Sequence, residues 1–228
     1  MLKNILVPVH PAGWPFIVLF AAAAMLITWW FTPFWFVGLV LTAWCIYFFR
    51  DPSRVTPDRD GLVLSPADGV VQSIIEVAPP DELTMGSEPR TRIAVFMNVF
   101  NVHVNRIPID GTISTAAYRP GKFINASFDK ASEQNERQSL KITTESGQDV
   151  GCIQIAGLVA RRIICHAKVG DRMRAGERFG MIRFGSRVDV YLPKGVAPKV
   201  LVGQLAVAGE TVLADLGSDE APLHGETR

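Results

Sequence analysis

The chain has 228 residues, enough for one compact domain with an appendage, and its 23 basic and 22 acidic side chains nearly cancel. This balance lacks the basic excess that is typical of nucleic-acid-binding proteins, so no nucleic-acid partner is expected. The charges are unevenly placed, because residues 4–49 contain no Asp, Glu, Lys or Arg. The sequence therefore predicts an apolar N-terminal segment followed by a domain of ordinary soluble composition.

The apolar run at residues 15–49 is too long for one upright membrane helix, which needs about 20 residues. Pro33 divides the run into two halves of about 17 residues, because proline removes a backbone donor where a helix would continue. Positive residues flank the run at both ends, at Lys3 and Arg50, which favours both ends being cytoplasmic. We predict a helical membrane hairpin over residues 1–56. A cleaved signal peptide fits less well, because the run is too long and no small-residue cleavage site follows it.

Residues 57–217 are predicted to form a mostly β domain of the α+β class, because short β-branched runs alternate with glycine and proline. The pattern V-G-x4-A-G-E occurs twice, at residues 169–177 and 202–210. Such a pair looks like the two halves of a barrel-sandwich, or lipoyl-like, domain, and we interpret it as scaffold. Residues 218–228 are predicted to be a flexible tail. The predicted strands are residues 70–77, 92–99, 111–116, 140–144, 151–156 and 188–192.

The pair Gly185–Ser186, at the start of the last predicted strand, has the strongest case for chemistry. Glycine leaves its carbonyl accessible and tolerates strained angles, so the Ser186 hydroxyl can attack it and form an ester. β-Elimination then releases the upstream chain, and hydrolysis of the resulting dehydroalanine leaves a pyruvoyl group. The dipeptide alone is a weak signal, since most such pairs are turns that enter strands. The similar pair at residues 217–218 is rejected, because only a polar tail follows it.

His103 is the best candidate for the base that activates Ser186, since imidazole titrates in the right range. Asp68 can orient that imidazole and stabilise its protonated form, as the carboxylate does in a serine–histidine–aspartate triad. Both residues also have ordinary interpretations. A lone histidine in an apolar run is usually a core residue, and the Pro-Ala-Asp-Gly sequence around Asp68 is good turn chemistry.

Several features together resemble the short form of the phosphatidylserine decarboxylase proenzymes, and the resemblance covers nearly the whole chain. They are the uncharged N-terminal segment, the sequence SPADG at residues 65–69, the sequence FNVHVN at residues 100–105, and the Gly–Ser pair. Asp68, His103 and Ser186 match that family's processing triad in order and context.

Two further segments bear on the resemblance. Longer family members carry a second histidine where this chain has Arg106, which implies that His103 does the acid–base work alone. Residues 125–137 also look like the short form, but the sequence indicates no role for them. A substrate-facing loop and a solvated surface loop both fit.

The resemblance implies a self-processing, pyruvoyl-dependent enzyme that converts phosphatidylserine to phosphatidylethanolamine and carbon dioxide. Cleavage would give residues 1–185 and residues 186–228, which stay together as a heterodimer, and a dimer of this unit is left open. The pyruvoyl group made from Ser186 would form a Schiff base with the substrate amine and act as an electron sink. His103 would return a proton to the α-carbon. No added cofactor and no metal are implied.

The resemblance also implies the cytoplasmic face of a bacterial inner membrane. Between Arg161 and Arg187 there are eight basic residues against two acidic ones. An anionic membrane attracts each basic residue by about 1 kcal/mol if they face it together, whereas charges that point in several directions would not act in this way. The three cysteines form no CxxC pair, which fits a reducing compartment.

Two other functions remain open from the residues alone. A decarboxylase of another serine-headgroup lipid, such as archaetidylserine, would use the same headgroup chemistry. A non-enzymatic, membrane-anchored lipoyl-type carrier or adaptor would share the scaffold. A carrier needs a lysine at an exposed hairpin tip, and residues 178–183 contain none.

Overall fold

The computed structural model describes residues 7–30, 32–121, 134–157, 162–183 and 185–226. Within these ranges, two α-helices precede a series of antiparallel β-strands. The predicted fold class, mostly β with an N-terminal apolar helical segment, is confirmed.

The apolar segment forms two helices, α1 (Trp14–Trp30) and α2 (Trp35–Phe48), joined through a 3-10 turn at Thr32–Phe34. The break falls at Pro33, as expected for a residue that cannot donate a backbone hydrogen bond inside a helix. The stretch Pro11–Trp30 is long and apolar enough to cross a membrane, and most of it is exposed.

The two helices lie antiparallel. Near the tip of the hairpin they approach closely, because a Cβ atom on Gly38 would lie only 2.3 Å from the Cβ of Ala24. At the base, the His10 N–H donates to the Phe49 carbonyl over 2.8 Å. Both ends of the hairpin therefore lie on the same side, against the β domain. Side chains from the hairpin base and from the domain form one buried cluster: Ile17, Cys45, Phe48, Phe49, Val102, Val104 and Met181.

The strands of the described residues fall into three sheets. Their bounds are β1 Leu62–Leu64, β2 Gly69–Val77, β3 Arg90–Met97, β4 Val104–Arg106, β5 Gly111–Arg119, β6 Arg137–Thr143, β7 Asp149–Ala156, β8 Ile163–Cys165, β9 Arg172–Met173, β10 Arg178–Ile182, β11 Ser186–Tyr191, β12 Leu205–Ala206 and β13 Val212–Asp215. The large sheet has the order β12-β2-β3-β11-β7-β6-β5-β9, and the others are β4-β10-β8 and β1-β13. Strand β11 thus lies in the middle of the large sheet, hydrogen-bonded to β3 and β7 along its full length.

All six predicted strands are confirmed, as β2, β3, β5, β6, β7 and β11, with shifted ends. The strand predicted at residues 92–99 ends two residues later than the observed β3, because the chain turns at Asn98 after Met97. The other strands were not predicted, since two to five residues carry too little periodicity to identify: β1, β4, β8, β9, β10, β12 and β13.

The V-G-x4-A-G-E repeat forms two matching turns that hold the scaffold together. Gly176 and Gly209 both have positive φ, +80° and +75°, which glycine adopts without strain. The Gly176 N–H donates to the Ile107 carbonyl, and the Gly209 N–H donates to the Ser65 carbonyl, both over 2.8 Å. Ile107 and Ser65 open the related segments IPIDG and SPADG. The duplication therefore includes a second repeated segment that the sequence analysis missed.

The predicted linker after the hairpin packs along the domain as a strap. The Asp51 carboxylate pairs with Arg178 at 2.7 Å and lies 3.6 Å from Arg106. Arg106 also donates to the Pro52 carbonyl over 2.9 Å. Arg106, at the position where longer family members carry a histidine, is thus a structural tie between strap and domain.

The basic residues between Arg161 and Arg187, for which the sequence left open a shared membrane face or several directions, do not all share one environment. Arg187 is buried and pairs with Asp189 at 2.8 Å, whereas Arg172 is exposed and pairs with Glu145. These two residues therefore favour the second of the two interpretations. Arg183 lies at the hairpin base, 4.9 Å from the ring centre of Phe16, and Arg178 pairs with Asp51 just after the hairpin.

Two other predictions concern segments at the margins of the structure. Most of residues 125–137 lies outside the described residues. The tail from residue 218 forms no strand as far as residue 226, but Ser218 and Glu220 both accept hydrogen bonds from Lys199. Its flexibility remains a prediction.

Candidate active site

Ser186 is the first residue of β11 and is fully buried. It lies opposite Met97 of β3 and Ala156 of β7. Its hydroxyl is 3.9 Å from the Met97 Sδ, a weak acceptor, and makes no other hydrogen bond within the described part of the chain. The hydroxyl is therefore buried, and its one partner among the described residues is a weak acceptor.

The carbonyl before Ser186 is hydrogen-bonded. Gly185 has φ +71°, in the left-handed region that glycine adopts freely, and its carbonyl accepts from the Gly157 N–H over 3.1 Å. A backbone N–H in this position is suited to stabilise the negative charge that develops when a nucleophile attacks the carbonyl carbon. The sequence analysis missed Gly157, because a backbone donor leaves no mark on residue type.

His103 lies between the domain and the end of α2, with its side chain fully buried. The Phe48 ring covers it, with ring centres 4.2 Å apart. Burial lowers the pKa of His103 to about 4; the hydrogen bond with the Asn101 carbonyl opposes this shift, and the positive charge of Arg50 adds to it. The imidazole is therefore neutral near pH 7.

The tautomer of His103 follows from its one hydrogen bond. Nδ1 lies 3.0 Å from the Asn101 carbonyl, which can only accept, so Nδ1 carries the proton. Nε2 then bears the lone pair, and it is buried with no hydrogen-bond partner among the described residues. His103 is thus held as a base whose free nitrogen is Nε2.

His103 and Ser186 lie in neighbouring parts of the site without a direct hydrogen bond. The Ile182 N–H donates to the His103 carbonyl over 3.3 Å, four residues before Ser186 in the chain. Asn105, two residues beyond His103, has its Nδ2 at 3.7 Å from the Met97 Sδ that Ser186 also contacts. Ser186 and Asn105 thus share a contact with Met97, and His103 is linked to this region through its neighbours in the chain.

Asp68 does not hydrogen-bond to His103 in this structure. Its carboxylate pairs with Arg54 of the strap at 2.6 Å and accepts from the Ala208 N–H over 2.8 Å. Burial raises the pKa of Asp68 above its usual value, while the Ala208 N–H and the Arg54 charge oppose that shift. The Asn101 carbonyl and the Phe48 ring hold the imidazole instead, and the orienting role of Asp68 remains a prediction.

Asp110 makes the same kind of contact with a repeated turn as Asp68 makes with the Ala208 N–H. Its Oδ1 accepts from the Ala175 N–H over 2.6 Å, and Ala175 and Ala208 are equivalent positions of the repeat. Both aspartates therefore stabilise the same kind of turn. Asp68 differs from Asp110 in its charged neighbours. Arg54 pairs with Asp68, and Arg50 also interacts with it. The charge of Arg50 in turn lowers the pKa of His103.

Two buried amides connect the parts of the site. The Gln154 Nε2 donates to the Asn105 Oδ1 over 2.8 Å, and both side chains are fully buried. The Asn105 Nδ2 also lies 3.5 Å from the Pro66 carbonyl, two residues before Asp68. The sequence analysis missed this network, although polar amides inside the apolar runs FNVHVN and GCIQIA were an available signal.

The fold and the site together define a barrel-sandwich domain that holds a candidate self-cleavage bond at the base of an apolar hairpin. The family model described as phosphatidylserine decarboxylase matches residues 41–214. A protein of Paramagnetospirillum magneticum is 59% identical over 226 residues, which cover 99% of this chain and 94% of that protein. One of Cereibacter sphaeroides is 56% identical over 228 residues, which cover 100% of this chain and 98% of that protein. Both are named phosphatidylserine decarboxylase proenzyme.

The chain belongs to the phosphatidylserine decarboxylase family, as its resemblance predicted. The matched residues include the C-terminal part of helix α2, residues 41–48, and most of the β domain, so the end of the hairpin and the domain belong to one family unit.

The burial of His103 predicts an unusual pH profile for self-cleavage. The deprotonated imidazole is the active form, so the rate should hold from neutral pH downwards and fall by half only near the pKa of about 4. Phe48→Ala should let water reach the ring, raise the pKa towards 6.5, and move the midpoint up by about one pH unit or more. The measurement is the fraction of freshly translated chain cut after a pH jump. Phe48→Leu, which keeps an apolar cover, is the control, and a midpoint near 6.5 in the unchanged chain contradicts the prediction.

Variants of Asp68 and Asp110 can distinguish a role of Asp68 in stabilising the turn from an electrostatic role in self-cleavage. Asp68→Asn and Asp110→Asn should each lower the free energy of unfolding by about 1 kcal/mol, because each weakens an equivalent turn hydrogen bond. Only Asp68→Asn should slow self-cleavage, by about tenfold, since it leaves the charge of Arg50 uncompensated near His103 and makes the imidazole a weaker base. Urea unfolding and cleavage time courses give the two quantities. Equal slowing in both variants would assign Asp68 to the turn alone.

Proposed function

We propose that this chain is the proenzyme of a decarboxylase that converts phosphatidylserine to phosphatidylethanolamine and carbon dioxide. The observation that carries the proposal is the Gly185–Ser186 bond, where Ser186 is fully buried and the Gly185 carbonyl accepts from the Gly157 N–H, in a chain that also holds a buried neutral histidine. Family membership supports the proposal, since the relatives are named for this activity and as proenzymes.

Self-cleavage would begin at Ser186. Its Oγ attacks the Gly185 carbonyl carbon while His103 Nε2 takes the hydroxyl proton, and the Gly157 N–H stabilises the oxyanion. The C–N bond breaks to give an ester and a free amine at Ser186. Loss of the Ser186 α-proton then expels the Gly185 carboxylate and leaves dehydroalanine, which water converts to a pyruvoyl group with release of ammonia.

The residues present fit a group formed at this position. The Ser186 side chain is fully buried, and its one described partner is a thioether, so little holds the oxygen in place when it leaves. Once formed, the pyruvoyl group supplies an electrophilic carbonyl that takes up the electron pair released with carbon dioxide. His103 Nε2, buried and without a described partner, would return a proton to the substrate α-carbon.

The two fragments, residues 1–185 and 186–228, would remain together without a peptide bond. The smaller fragment contributes β11, which pairs with β3 and β7 in the middle of the large sheet, and β13, which pairs with β1. The side chains of Val188 and Val190 are fully buried in the core. Burial of this apolar surface and the intact strand ladders would hold the heterodimer together.

The hairpin would anchor the enzyme in the membrane that contains its substrate. Its exposed apolar surface includes Trp29 and Trp30, which are 87% and 79% exposed, more than a soluble monomer ordinarily leaves uncovered. Both helix ends lie against the β domain, and the flanking positive residues favour the cytoplasmic face of the inner membrane. The guanidinium groups of Arg50 and Arg183 at the hairpin base are suited to the phosphate of a lipid headgroup.

The alternatives are less well supported. A non-enzymatic adaptor would have no use for a buried serine after a glycine whose carbonyl is hydrogen-bonded, and the named relatives are enzymes. Archaetidylserine presents the same serine headgroup, so its decarboxylation would use the same residues. Turnover of the two lipids in matched detergent micelles separates these substrates, and we expect phosphatidylserine to be preferred.

Ser186→Ala should abolish both self-cleavage and carbon dioxide release, because alanine has no nucleophile and yields no ketone. The unchanged protein should give two masses, for residues 1–185 and 186–228, and the smaller fragment should lack a free amino terminus. Ser218→Ala, at the other Gly–Ser pair near the C-terminus, is the control and should be cut normally. Active protein that stays as one chain, or that resists inactivation by borohydride with substrate amine, would disprove the proposal.

The contribution of the Gly157 N–H can be measured by removing only that donor. Gly157→Pro lacks the N–H and should slow self-cleavage by about a hundredfold, in line with the loss of one oxyanion donor. Gly157→Ala keeps the N–H and should cut at a rate close to that of the unchanged chain. Circular dichroism of both variants, made with Ser186→Ala, checks that the sheet is intact. Equal cleavage rates in the two variants would remove Gly157 from the mechanism.

A further inference from the structure

The turn that links β3 to His103 is a rigid structure held by its own asparagines. The Asn98 N–H donates to the Asn101 Oδ1 over 2.8 Å, and the Phe100 N–H donates to the Asn98 Oδ1 over 2.8 Å. The Asn101 N–H also donates to the Asn98 carbonyl over 3.0 Å. These three bonds close the turn without help from the side chains at its tip.

The side chains at the tip of this turn are apolar and exposed. Phe100 is 61% exposed and Val99 is 37% exposed. Since the asparagines alone close the turn, neither apolar side chain is needed for its shape. An exposed phenylalanine on this turn buries little apolar surface on folding, so it contributes little to stability until something apolar covers it.

Arg50 fastens this turn to the end of the hairpin. Its guanidinium donates to the Phe100 carbonyl and to the Tyr47 carbonyl, each over 2.7 Å, and lies 3.7 Å from the centre of the Tyr47 ring. Tyr47 and Ile46, in the last turn of α2, are themselves 46% and 43% exposed. The exposed tip of the turn therefore continues the exposed apolar surface of the hairpin.

We propose that Val99 and Phe100 form a second membrane contact, which inserts into the boundary between headgroups and acyl chains beside the hairpin. The proposal rests on the membrane placement in the proposed function, and the lipid bilayer is the one occupant to which it commits. An aromatic side chain next to a guanidinium suits that boundary, where an apolar ring and a cation bind lipid and phosphate at once.

This contact would set the depth of the active site. The Asn101 carbonyl, in the same turn, holds Nδ1 of His103, so the turn that enters the bilayer also orients the proposed base. Insertion of Phe100 would hold His103 at the level of the lipid headgroups. A substrate would then reach the site without leaving the membrane, because its headgroup already lies at that depth.

The direct test measures the depth of the turn in the full chain, reconstituted in vesicles of phosphatidylserine and phosphatidylcholine. Cys45 and Cys152 are buried, so a Cys165→Ser background allows a nitrobenzoxadiazole label at Phe100→Cys alone. The control is the same label at Leu205→Cys on β12, where the native side chain is 75% exposed. We expect doxyl-labelled lipids to quench the first label about threefold more than the second. Equal quenching overturns the proposal.

The same vesicles distinguish this proposal from the membrane placement of the hairpin. All five tryptophans lie between residues 14 and 44, so brominated lipid reports on the hairpin through their fluorescence. Quenched tryptophans with an unquenched label at Phe100→Cys would overturn the second contact and leave the anchor in place. Unquenched tryptophans would overturn both.

A kinetic comparison tests the consequence for catalysis. Phe100→Ser should raise the KM for vesicle phosphatidylserine about tenfold relative to Leu205→Ser, because one apolar membrane contact is lost. The difference between the variants should shrink when the substrate is a short-chain phosphatidylserine dispersed as monomers. An equal defect on both substrates would show that the substitution only distorts His103, and would overturn the proposal.

Discussion

Burial of His103 beneath the last turn of the apolar hairpin is the constraint on which the rest of the site depends. The Phe48 ring excludes water from the imidazole and keeps its pKa low, and the Asn101 carbonyl then selects the tautomer with a free Nε2. The side chain that covers the proposed base thus belongs to the apolar hairpin. The proposed chemistry and the proposed membrane attachment would therefore be coupled through one aromatic contact, and the strap of Asp51 ties the end of the hairpin to the domain.

The internal duplication explains why Asp68 occupies its position. Asp68 and Asp110 each accept a backbone N–H from an equivalent alanine of the repeated turn, so the carboxylate has a scaffold function in both halves. The strap adds Arg54 to one half only. The carboxylate that the resemblance assigns to His103 is thus paired with a strap residue here, and its orienting role remains a prediction.

The proposed cleavage bond lies at the entrance to the central strand of the large sheet. This location gives the Gly185 carbonyl a fixed donor in Gly157, because antiparallel neighbours present backbone N–H groups across the ladder. It also means that a cut leaves β11 paired on both sides. A bond in an exposed loop, such as that before Ser218, would offer neither rigidity for the reaction nor burial for the product.

The sequence by itself determined the apolar hairpin, the six longer strands, the scaffold repeat and the candidate residues Ser186, His103 and Asp68, because periodicity, proline and short motifs are local signals. Only the tertiary structure decided how these residues are held. Phe48 covers a histidine 55 positions away in the chain, Gly157 donates to a carbonyl 28 positions away, and Asp68 pairs with the strap instead of with His103. No local pattern records these contacts. They join segments that become neighbours only when the sheets and the hairpin pack together, and two of them depend on a ring face or a backbone N–H, which residue type does not encode.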